Sequence, residues 1–460
     1  MPSTLAETPR AVLVGVQLPG ITDEQHEADL AELGRLVHTL GFEVVGTVSQ
    51  KRDGLRSGTV LGQGKLRELA AYTGGTGVIP TGAKQRTSKA KEKWEGEEDA
   101  DDAAEAEEGD DQPAGAPIDP ERRATVVVVD HELSPSQARN LERATGAEVL
   151  DRTGVIVDIF HRHAKSREAR MQVEIARLTY VVPRMRETGG SERQQGVGAG
   201  ESSLELDRRK VRDRIAELKA ALAVIHADQD QRRYARKDQL RVALVGYTNA
   251  GKSSLMRALT GSEVLVADRL FATLDTTVRA LQPETRPRIL VSDTVGFIKK
   301  LPHDLVASFK STLDEALEAS LLLTVVDASD PTAEAQLAVT REVLGEIGAQ
   351  AVPTLLLLNK ADRLDEAGRA AVLARHPGAV LLSAHRPDDV AALRQRIIDH
   401  FEAEMVEAKL VLLYSQQGLV AQIYEHARVV DETFDETGRS LTIRALPGAM
   451  ARLQRLVTGR

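Results

Sequence analysis

The chain contains no cysteine and few aromatic residues. Its 460 residues include a single Trp, and the aromatic fraction is 3%. The absence of Cys excludes disulfides, thiolate metal sites and cysteine nucleophiles. No apolar run approaches the ~20 residues that a membrane-spanning helix requires, and the N-terminus lacks the basic-then-apolar pattern of a secretory signal. We therefore expect a cytoplasmic protein with no membrane span.

Basic residues are scarce in one segment and abundant in another. Residues 95–111 hold eleven acids and no base, and removing them from the net charge of −9 leaves the rest of the chain at +2. Residues 161–237 hold eighteen Lys and Arg against eleven Asp and Glu, a local charge of +7. A charged segment with little apolar content cannot offset the entropy of the chain. We predict a disordered acidic insertion over 84–122, which is either a solubilising loop or an arm for a basic partner.

Hydrophobic patterning predicts an α/β protein with four regions. With a hydrophobic fraction of 42%, the chain is long enough for about three domains of roughly 150 residues each. Short apolar runs that alternate with helical periodicity indicate an N-terminal α/β domain over 1–158. Two Arg-rich helical patterns, over 159–186 and 204–237, flank a glycine-rich loop and predict a helical arm over 159–238. Continuously apolar strands over 239–404 predict a second α/β domain with a mostly parallel sheet, followed by a small α+β domain over 405–460.

A phosphate-binding loop opens the second α/β domain. The run Gly246-Tyr247-Thr248-Asn249-Ala250-Gly251-Lys252-Ser253 is a GxxxxGKS motif between a predicted strand and a predicted helix, which is the context that the motif requires. Its glycines let backbone N–H groups wrap phosphates, Lys252 supplies positive charge to the β- and γ-phosphates, and the Ser253 hydroxyl can bind Mg²⁺. The predicted phosphate-binding residues are Gly246, Asn249, Ala250, Gly251, Lys252, Ser253, Ser254 and, from a later motif, Gly296.

Three further motifs at strand ends select the nucleotide. In Asp293-Thr294-Val295-Gly296, the carboxylate can hold Mg²⁺ through water and the glycine amide can sense a γ-phosphate. In Asn359-Lys360-Ala361-Asp362, the last carboxylate can accept two hydrogen bonds from guanine, which adenine cannot offer. Ser383-Ala384 can support the guanine carbonyl through a backbone N–H. The order of the motifs predicts a GTP site, with guanine-binding residues Asn359, Lys360, Asp362, Ser383 and Ala384.

The segment between the first two motifs must supply a threonine for Mg²⁺ and the γ-phosphate. Residues 270–279 offer Thr273, Thr276 and Thr277, among which spacing alone cannot choose. Many GTPases place a glutamine just after DxxG to orient the attacking water, whereas this chain has Phe297. We therefore expect slow intrinsic hydrolysis, with the missing part supplied by a partner or a bound cation.

The chain resembles the HflX family of ribosome-associated GTPases. The resemblance is carried by DHELSPSQARNLE (130–142), DRTGVIVDIF (151–160), MQVEIARLTYVVPRM (171–185), LELDRRKVRDRI (204–215), LFATLD (270–275) and DTVGFIKKLPHDLVASFKSTLDEA (293–316). It covers nearly all of residues 10–460 except the acidic insertion. It implies a GTPase that binds the large ribosomal subunit and acts in GTP-dependent splitting or rescue of stalled ribosomes. We expect such a protein to be a cytoplasmic monomer, in part bound to ribosomes.

The resemblance also assigns the switch I residues. It implies that Thr277 is the switch threonine, so that Ser253, Thr277 and Asp293 (through water) would hold Mg²⁺. The implied switch I residues are Phe271, Ala272, Thr273, Leu274 and Thr277. Thr276 stands where the family usually has proline. Asn249 matches the phosphate-loop asparagine of potassium-activated GTPases, so it either binds K⁺ or merely shapes the loop.

The arm departs from the family pattern at its glycine-rich loop. The family usually carries GxGxRGPGE, whereas this chain has Gly196-Val197-Gly198-Ala199-Gly200-Glu201, which lacks two residues and the arginine. The remaining candidates for RNA contact are Arg193, Arg208, Arg209, Lys210 and Arg212. Two functions stay open: a GTPase that acts on the ribosome through a basic arm, and a GTP-regulated protein-binding scaffold without RNA contact. A phosphotransferase is disfavoured, because guanine selection and a switch threonine suit a conformational switch.

Overall fold

A computed structural model gives the fold for most of the chain. It describes residues 8–55, 58–79, 123–185, 203–235, 239–262, 270–271, 276–300, 310–436 and 438–458. The predicted acidic insertion over 84–122, Arg193, and the switch residues Ala272, Thr273 and Leu274 lie outside these ranges. The chain divides into two compact units, Met1–Ile159 with Tyr180–Glu187 and Phe160–Thr179 with Thr188–Arg460.

The first unit contains a four-stranded parallel sheet in the order β2-β1-β3-β4. Its elements are β1 Arg10–Gln17, α1 Asp23–Thr39, β2 Glu43–Lys51, α2 Gln63–Thr73, β3 Val126–Val129, α3 Pro135–Thr145, β4 Glu148–Asp151 and α4 Arg152–His163, the last of which continues into the second unit. Strands β1 and β3 are buried along nearly their whole length, as expected for a parallel sheet covered on both faces. Capping boxes at Thr22 and Ser134 fix the starts of α1 and α3.

A buried charge cluster lies where β3 and β4 end. The guanidinium of Arg152 contacts Glu32 at 2.5 Å and Asp130 at 2.7 Å, and all three side chains are at most 10% exposed. Asp151 accepts hydrogen bonds from the Tyr180 hydroxyl at 2.9 Å and from Arg184 at 2.8 Å. Burial and the Asp151 charge raise the pKa of Tyr180 far above its ordinary value. The ion pairs offset the cost of burying these charges, so they bind the end of the sheet to the residues that follow it.

The second unit begins with a pair of helices, α5 Arg167–Val181 and α6 Ser203–Ala235. Met171 and Ile175 of α5 pack against Leu218 of α6. The helix predicted over 159–186 is interrupted, because α4 ends at His163 and α5 begins at Arg167.

A six-stranded sheet forms the centre of the second unit, in the order β10-β9-β8-β5-β7-β6. All neighbouring strands are parallel except β6, which runs antiparallel to β7. Its strands are β5 Leu240–Gly246, β6 Thr277–Ala280, β7 Ile289–Asp293, β8 Leu321–Asp327, β9 Thr354–Asn359 and β10 Val380–Leu381. The surrounding helices are α7 Lys252–Thr260, α8 Lys310–Leu317, α9 Ala333–Glu346, α10 Glu366–Arg375 and α11 Pro387–Ala403. The predicted α/β class with a mostly parallel sheet is confirmed.

The C-terminal part is a three-stranded antiparallel sheet with helices on one face. Its elements are β11 Val406–Leu413, α12 Val420–His426, β12 Arg428–Phe434, β13 Gly438–Ala445 and α13 Pro447–Thr458, with the strands in the order β11-β13-β12. Leu410, Ile443 and Leu453 belong to its core. The periodicity of residues 418–430 is that of a helix, but α12 ends at His426 and strand β12 begins at Arg428, where the chain pairs with β13. Among the described residues, no helix is both long and apolar enough to cross a bilayer.

Candidate functional site

The phosphate loop connects the end of β5 to the start of α7, and two of its positions admit only glycine. Gly246 has φ +145°, and a Cβ there would lie 2.2 Å from the Val325 carbonyl oxygen. Gly251 has φ +99°, and its Cβ would lie 2.1 Å from Asn359 Nδ2. Side chains would therefore collide with the neighbouring strands, which is the physical reason for both motif glycines.

Lys252 is held over the loop by the loop's own carbonyl groups. Its Nζ donates to Gly246 O at 3.1 Å and Tyr247 O at 2.8 Å, and the residue is only 6% exposed. Burial lowers the pKa of Lys252 to about 8, against the opposing attraction of Asp293. The ammonium group is therefore oriented before any phosphate arrives, and an anionic ligand would stabilise its charged form.

Three oxygen-bearing residues meet beside the phosphate loop. The Ser253 hydroxyl donates to Asp293 Oδ2 at 2.7 Å, and Asp293 is fully buried at the end of β7. Thr277, the first residue of β6, stands directly opposite Asp293 in the antiparallel register. Residues opposite one another in such a pair project to the same face of the sheet, with Cβ atoms about 5 Å apart. Hydroxyl and carboxylate oxygens suit a hard divalent cation, so Ser253, Thr277 and Asp293 fit a Mg²⁺ site.

Phe271 is the first of the predicted switch I residues. Its backbone has φ +58°, its side chain is 3% exposed, and its ring packs edge-on against Phe160 of the same compact unit at 4.5 Å between centroids. A large side chain in a left-handed conformation is rare, and the aromatic contact helps to hold it there. Thr277, the predicted switch threonine, is therefore held by the pairing of β6 with β7, and Phe271 is held by packing against Phe160.

Gly296 and Phe297 follow β7 and differ in their surroundings. A Cβ on Gly296 would lie 2.9 Å from both Lys252 Nζ and Thr248 Cα, so the backbone passes close to the phosphate loop. Phe297 is 2% exposed and belongs to the core cluster that contains Val245. The side chain in the position of the catalytic glutamine is therefore a core residue.

Asn359 connects the phosphate loop to the predicted base-binding loop. Its Nδ2 donates to Ala250 O at 2.9 Å, and its Oδ1 accepts from Ala384 N at 3.1 Å. Ser383-Ala384 was predicted to support the guanine carbonyl through a backbone N–H, and of this pair the Ala384 amide donates to Asn359. The Asn359 side chain is 2% exposed; its contact with Ala250 is buried, and its contact with Ala384 is partly buried.

Two charged residues of the Asn359-Lys360-Ala361-Asp362 motif have distinct environments. Lys360 adopts φ +62° and its Nζ lies 2.7 Å from Asp327 Oδ2, which orients the loop. Asp362 is exposed, and a hydrogen bond from the Ser383 side chain lowers the pKa of its carboxyl group. Its carboxylate is therefore ionised and accessible, as two hydrogen bonds from guanine require.

The predicted RNA-contacting residues that the structure describes lie on the first half of α6. Lys210 pairs with Asp207 at 3.0 Å, and Arg212 Nε donates to Arg208 O at 3.3 Å. Arg209 and Lys210 are both exposed. The four described candidates thus share one helix.

A second group of basic residues in the arm was not among the predicted RNA-contacting residues. Lys165, Arg167 and Arg170 line a groove of about 640 Å³ between α5 and α6, with Met171 and Leu218 at its base. Arg214, on the opposite wall, is bonded to Glu174 and Glu217. The three cations are exposed, and no ion pair to any of them is formed within the described ranges. The Arg-rich helical pattern over 159–186 was the sequence feature that could have identified them.

Family models match three parts of the chain. A model described as "50S ribosome-binding GTPase" matches residues 241–360. A model of the "GTP-binding GTPase Middle Region" matches 163–236, and one of the "GTP-binding GTPase N-terminal" matches 27–79 and 117–161. The matches together extend over the phosphate loop, the arm and the first compact unit.

Curated relatives resemble the chain over nearly its whole length. The GTPase HflX of Gluconacetobacter diazotrophicus is 68% identical over 453 residues, which is 98% of each chain. The GTPase HflX of Escherichia coli is 35% identical over 445 residues, covering 95% of this chain and 93% of the relative. A GTP-binding protein from Sulfolobus solfataricus, solved with GDP, is 22% identical with a TM-score of 0.40, covering 84% of this chain and 99% of its own. The similarity to the first two relatives is thus spread over all regions.

Proposed function

The chain belongs to the HflX family of GTPases, and we propose that it binds the large ribosomal subunit in its GTP state and promotes splitting or rescue of stalled ribosomes. Its activity is that of a P-loop GTPase, which converts GTP and water to GDP and phosphate. In the proposed cycle, GTP orders switch I and the segment after β7, and hydrolysis drives release from the subunit.

One observation carries the ribosomal part of the proposal. The family model that matches residues 241–360, and so includes the phosphate loop and the first two residues of the guanine motif, is that of a 50S ribosome-binding GTPase. The positive charge of the arm suits a partner that contains RNA. Lys165, Arg167 and Arg170 are exposed and form no ion pair within the described ranges. Such cations are available for the phosphates of ribosomal RNA, whose neutralisation dominates affinity and makes binding sensitive to salt.

The site supplies most of what GTP hydrolysis needs. Ser253 and Thr277 would hold Mg²⁺, with Asp293 acting through water, and the bound ion neutralises charge on the β- and γ-phosphates. Lys252 adds a positive charge, and the Gly296 amide can donate to the γ-phosphate. Because Phe297 is buried in the core, its side chain cannot orient water. We propose that basal hydrolysis is slow and that the ribosomal subunit completes the site.

Asn249 is a candidate for a K⁺ ligand at the same site. It is exposed and adopts φ +59° in the phosphate loop. Asn is among the few residues other than Gly that adopt this conformation readily, so the geometry also suits a purely structural role. A K⁺ ion would add positive charge near the phosphates, and exchange of K⁺ for Na⁺ would distinguish the two roles.

The test is GTP turnover with and without purified large ribosomal subunits, in KCl and in matched NaCl. We expect a low basal rate and a large stimulation by the subunit. A rate that the subunit does not change, with GTP binding intact, would contradict the ribosome-stimulated cycle and favour a protein-binding scaffold. Deletion of residues 84–122 also distinguishes the ribosomal function from the scaffold function. The ribosomal function should survive the deletion, whereas the scaffold function should be lost.

A further inference from the structure

Tyr247, the second residue of the phosphate loop, contacts the chain that follows β7. Its hydroxyl accepts a hydrogen bond from the Lys299 backbone N–H at 2.7 Å, and the residue is 4% exposed. The GxxxxGKS motif leaves this position open, because the motif uses only the backbone there. The buried phenol therefore has a contact that phosphate binding alone does not require.

The same stretch of chain is joined to the phosphate loop by two backbone hydrogen bonds. The Phe297 N–H donates to Gly246 O at 3.1 Å, and the Thr248 N–H donates to Phe297 O at 2.8 Å. Tyr247 and Phe297 accordingly form a parallel bridge outside the named strands. These two hydrogen bonds join backbone groups, whereas the one from Lys299 to the Tyr247 hydroxyl depends on a side chain.

This pairing begins immediately after Gly296, the residue whose amide is suited to sense the γ-phosphate. The backbone of Gly296 packs closely against Lys252 and Thr248. A Cβ on Gly296 would lie 2.9 Å from the nearest atom of each residue. The hold on residues 297–299 therefore limits how the Gly296 backbone, and with it the N–H, can be placed. Lys300, the next residue after the pairing, adopts φ +58°, so the chain turns away at that point.

We propose that Tyr247 is a positioning residue for the nucleotide state. Its hydroxyl holds residues 297–299 against the phosphate loop, so that the Gly296 amide is aligned for the γ-phosphate. GDP has no γ-phosphate, so the alignment matters for GTP and not for GDP. Tyr247 thereby contributes to the preference for GTP over GDP. This role concerns the GTPase site itself and does not depend on the ribosomal proposal.

The test is the pair of variants Tyr247→Phe and Tyr414→Phe. Each removes one phenolic hydroxyl, and the control loses a 2.8 Å hydrogen bond to Asp435 O in the C-terminal domain. The affinities for GDP and for a non-hydrolysable GTP analogue are measured with Mg²⁺ present. One hydrogen bond corresponds to about threefold to tenfold in an equilibrium constant. We expect Tyr247→Phe to bind the analogue about threefold to tenfold more weakly than wild type, while its GDP affinity stays within about twofold. Tyr414→Phe should change neither of the two affinities.

Each other outcome overturns the proposal. Equal losses for GDP and the analogue would show that the hydroxyl supports the loop in general. Unchanged affinities for both would show that the contact has no influence on the nucleotide. A gain for the analogue would show that the contact holds residues 297–299 in an arrangement that opposes GTP. The GDP affinity of Tyr247→Phe also reports whether the site has folded.

Discussion

The substitution Asn359→Ala tests whether the Asn359 side chain is needed to position the phosphate loop and the predicted base-binding loop. The variant removes both hydrogen bonds of a 2% exposed side chain, so that Ala250 O and Ala384 N lose their partner. An unsatisfied buried polar group costs about 1–3 kcal/mol. Two such groups, one of them partly exposed, should cost about 2–4 kcal/mol, which corresponds to roughly a 30-fold to 1,000-fold loss of GDP affinity if the cost falls on the assembled site.

The measurement is an equilibrium titration with a fluorescent GDP at 25 °C. The control is Asn140→Ala, which removes a single solvent-facing hydrogen bond to Gly58 O at 3.0 Å in the first unit. The control should bind GDP like the wild type. A GDP affinity of Asn359→Ala within about threefold of wild type would refute the reasoning, because it would mean that the two loops are positioned without the Asn359 side chain.

Three further predictions concern the base, pH and the first unit. Asp362→Asn should lose GDP affinity by at least about tenfold and gain affinity for xanthosine diphosphate, since an amide donates to the xanthine 2-carbonyl; competition titrations check this, and retained guanine preference would contradict it. Because the pKa of Lys252 is about 8 in the free protein and the second pKa of a terminal phosphate is about 6, GDP affinity should be constant between about pH 7 and pH 8. Above that range, affinity should fall by up to about tenfold per pH unit, because binding then requires proton uptake; a flat profile to pH 9 would argue against this. Arg152→Met removes the guanidinium that contacts the buried carboxylates of Glu32 and Asp130, so the free energy of unfolding of the first unit should fall by about 3–5 kcal/mol; an unchanged thermal transition would contradict this.

Most strands of the central sheet were predictable because they are buried on both faces. Runs such as Leu321–Asp327 are continuously apolar, and their bounds follow from where that character ends. Strand β6, Thr277–Ala280, was not predicted, because a short, half-exposed edge strand has no such pattern and exists through its pairing with β7. The same holds for β12, whose residues Val429 and Val430 carry β-branched side chains but also continue a helical periodicity.

The phosphate loop, the DxxG motif and the guanine motif follow from the sequence alone, because they are contiguous runs at strand ends, whereas spacing left the threonine for Mg²⁺ open. The carboxyl ends of parallel strands meet at one edge of a sheet, so the order of the motifs was enough to predict a GTP site. Only the tertiary structure decided how these runs are joined. Asn359 meets Ala250 across 109 residues, and the Tyr247 hydroxyl meets the Lys299 amide across 52. No local pattern encodes such pairs, because each depends on which backbone groups the sheet order brings within hydrogen-bonding distance.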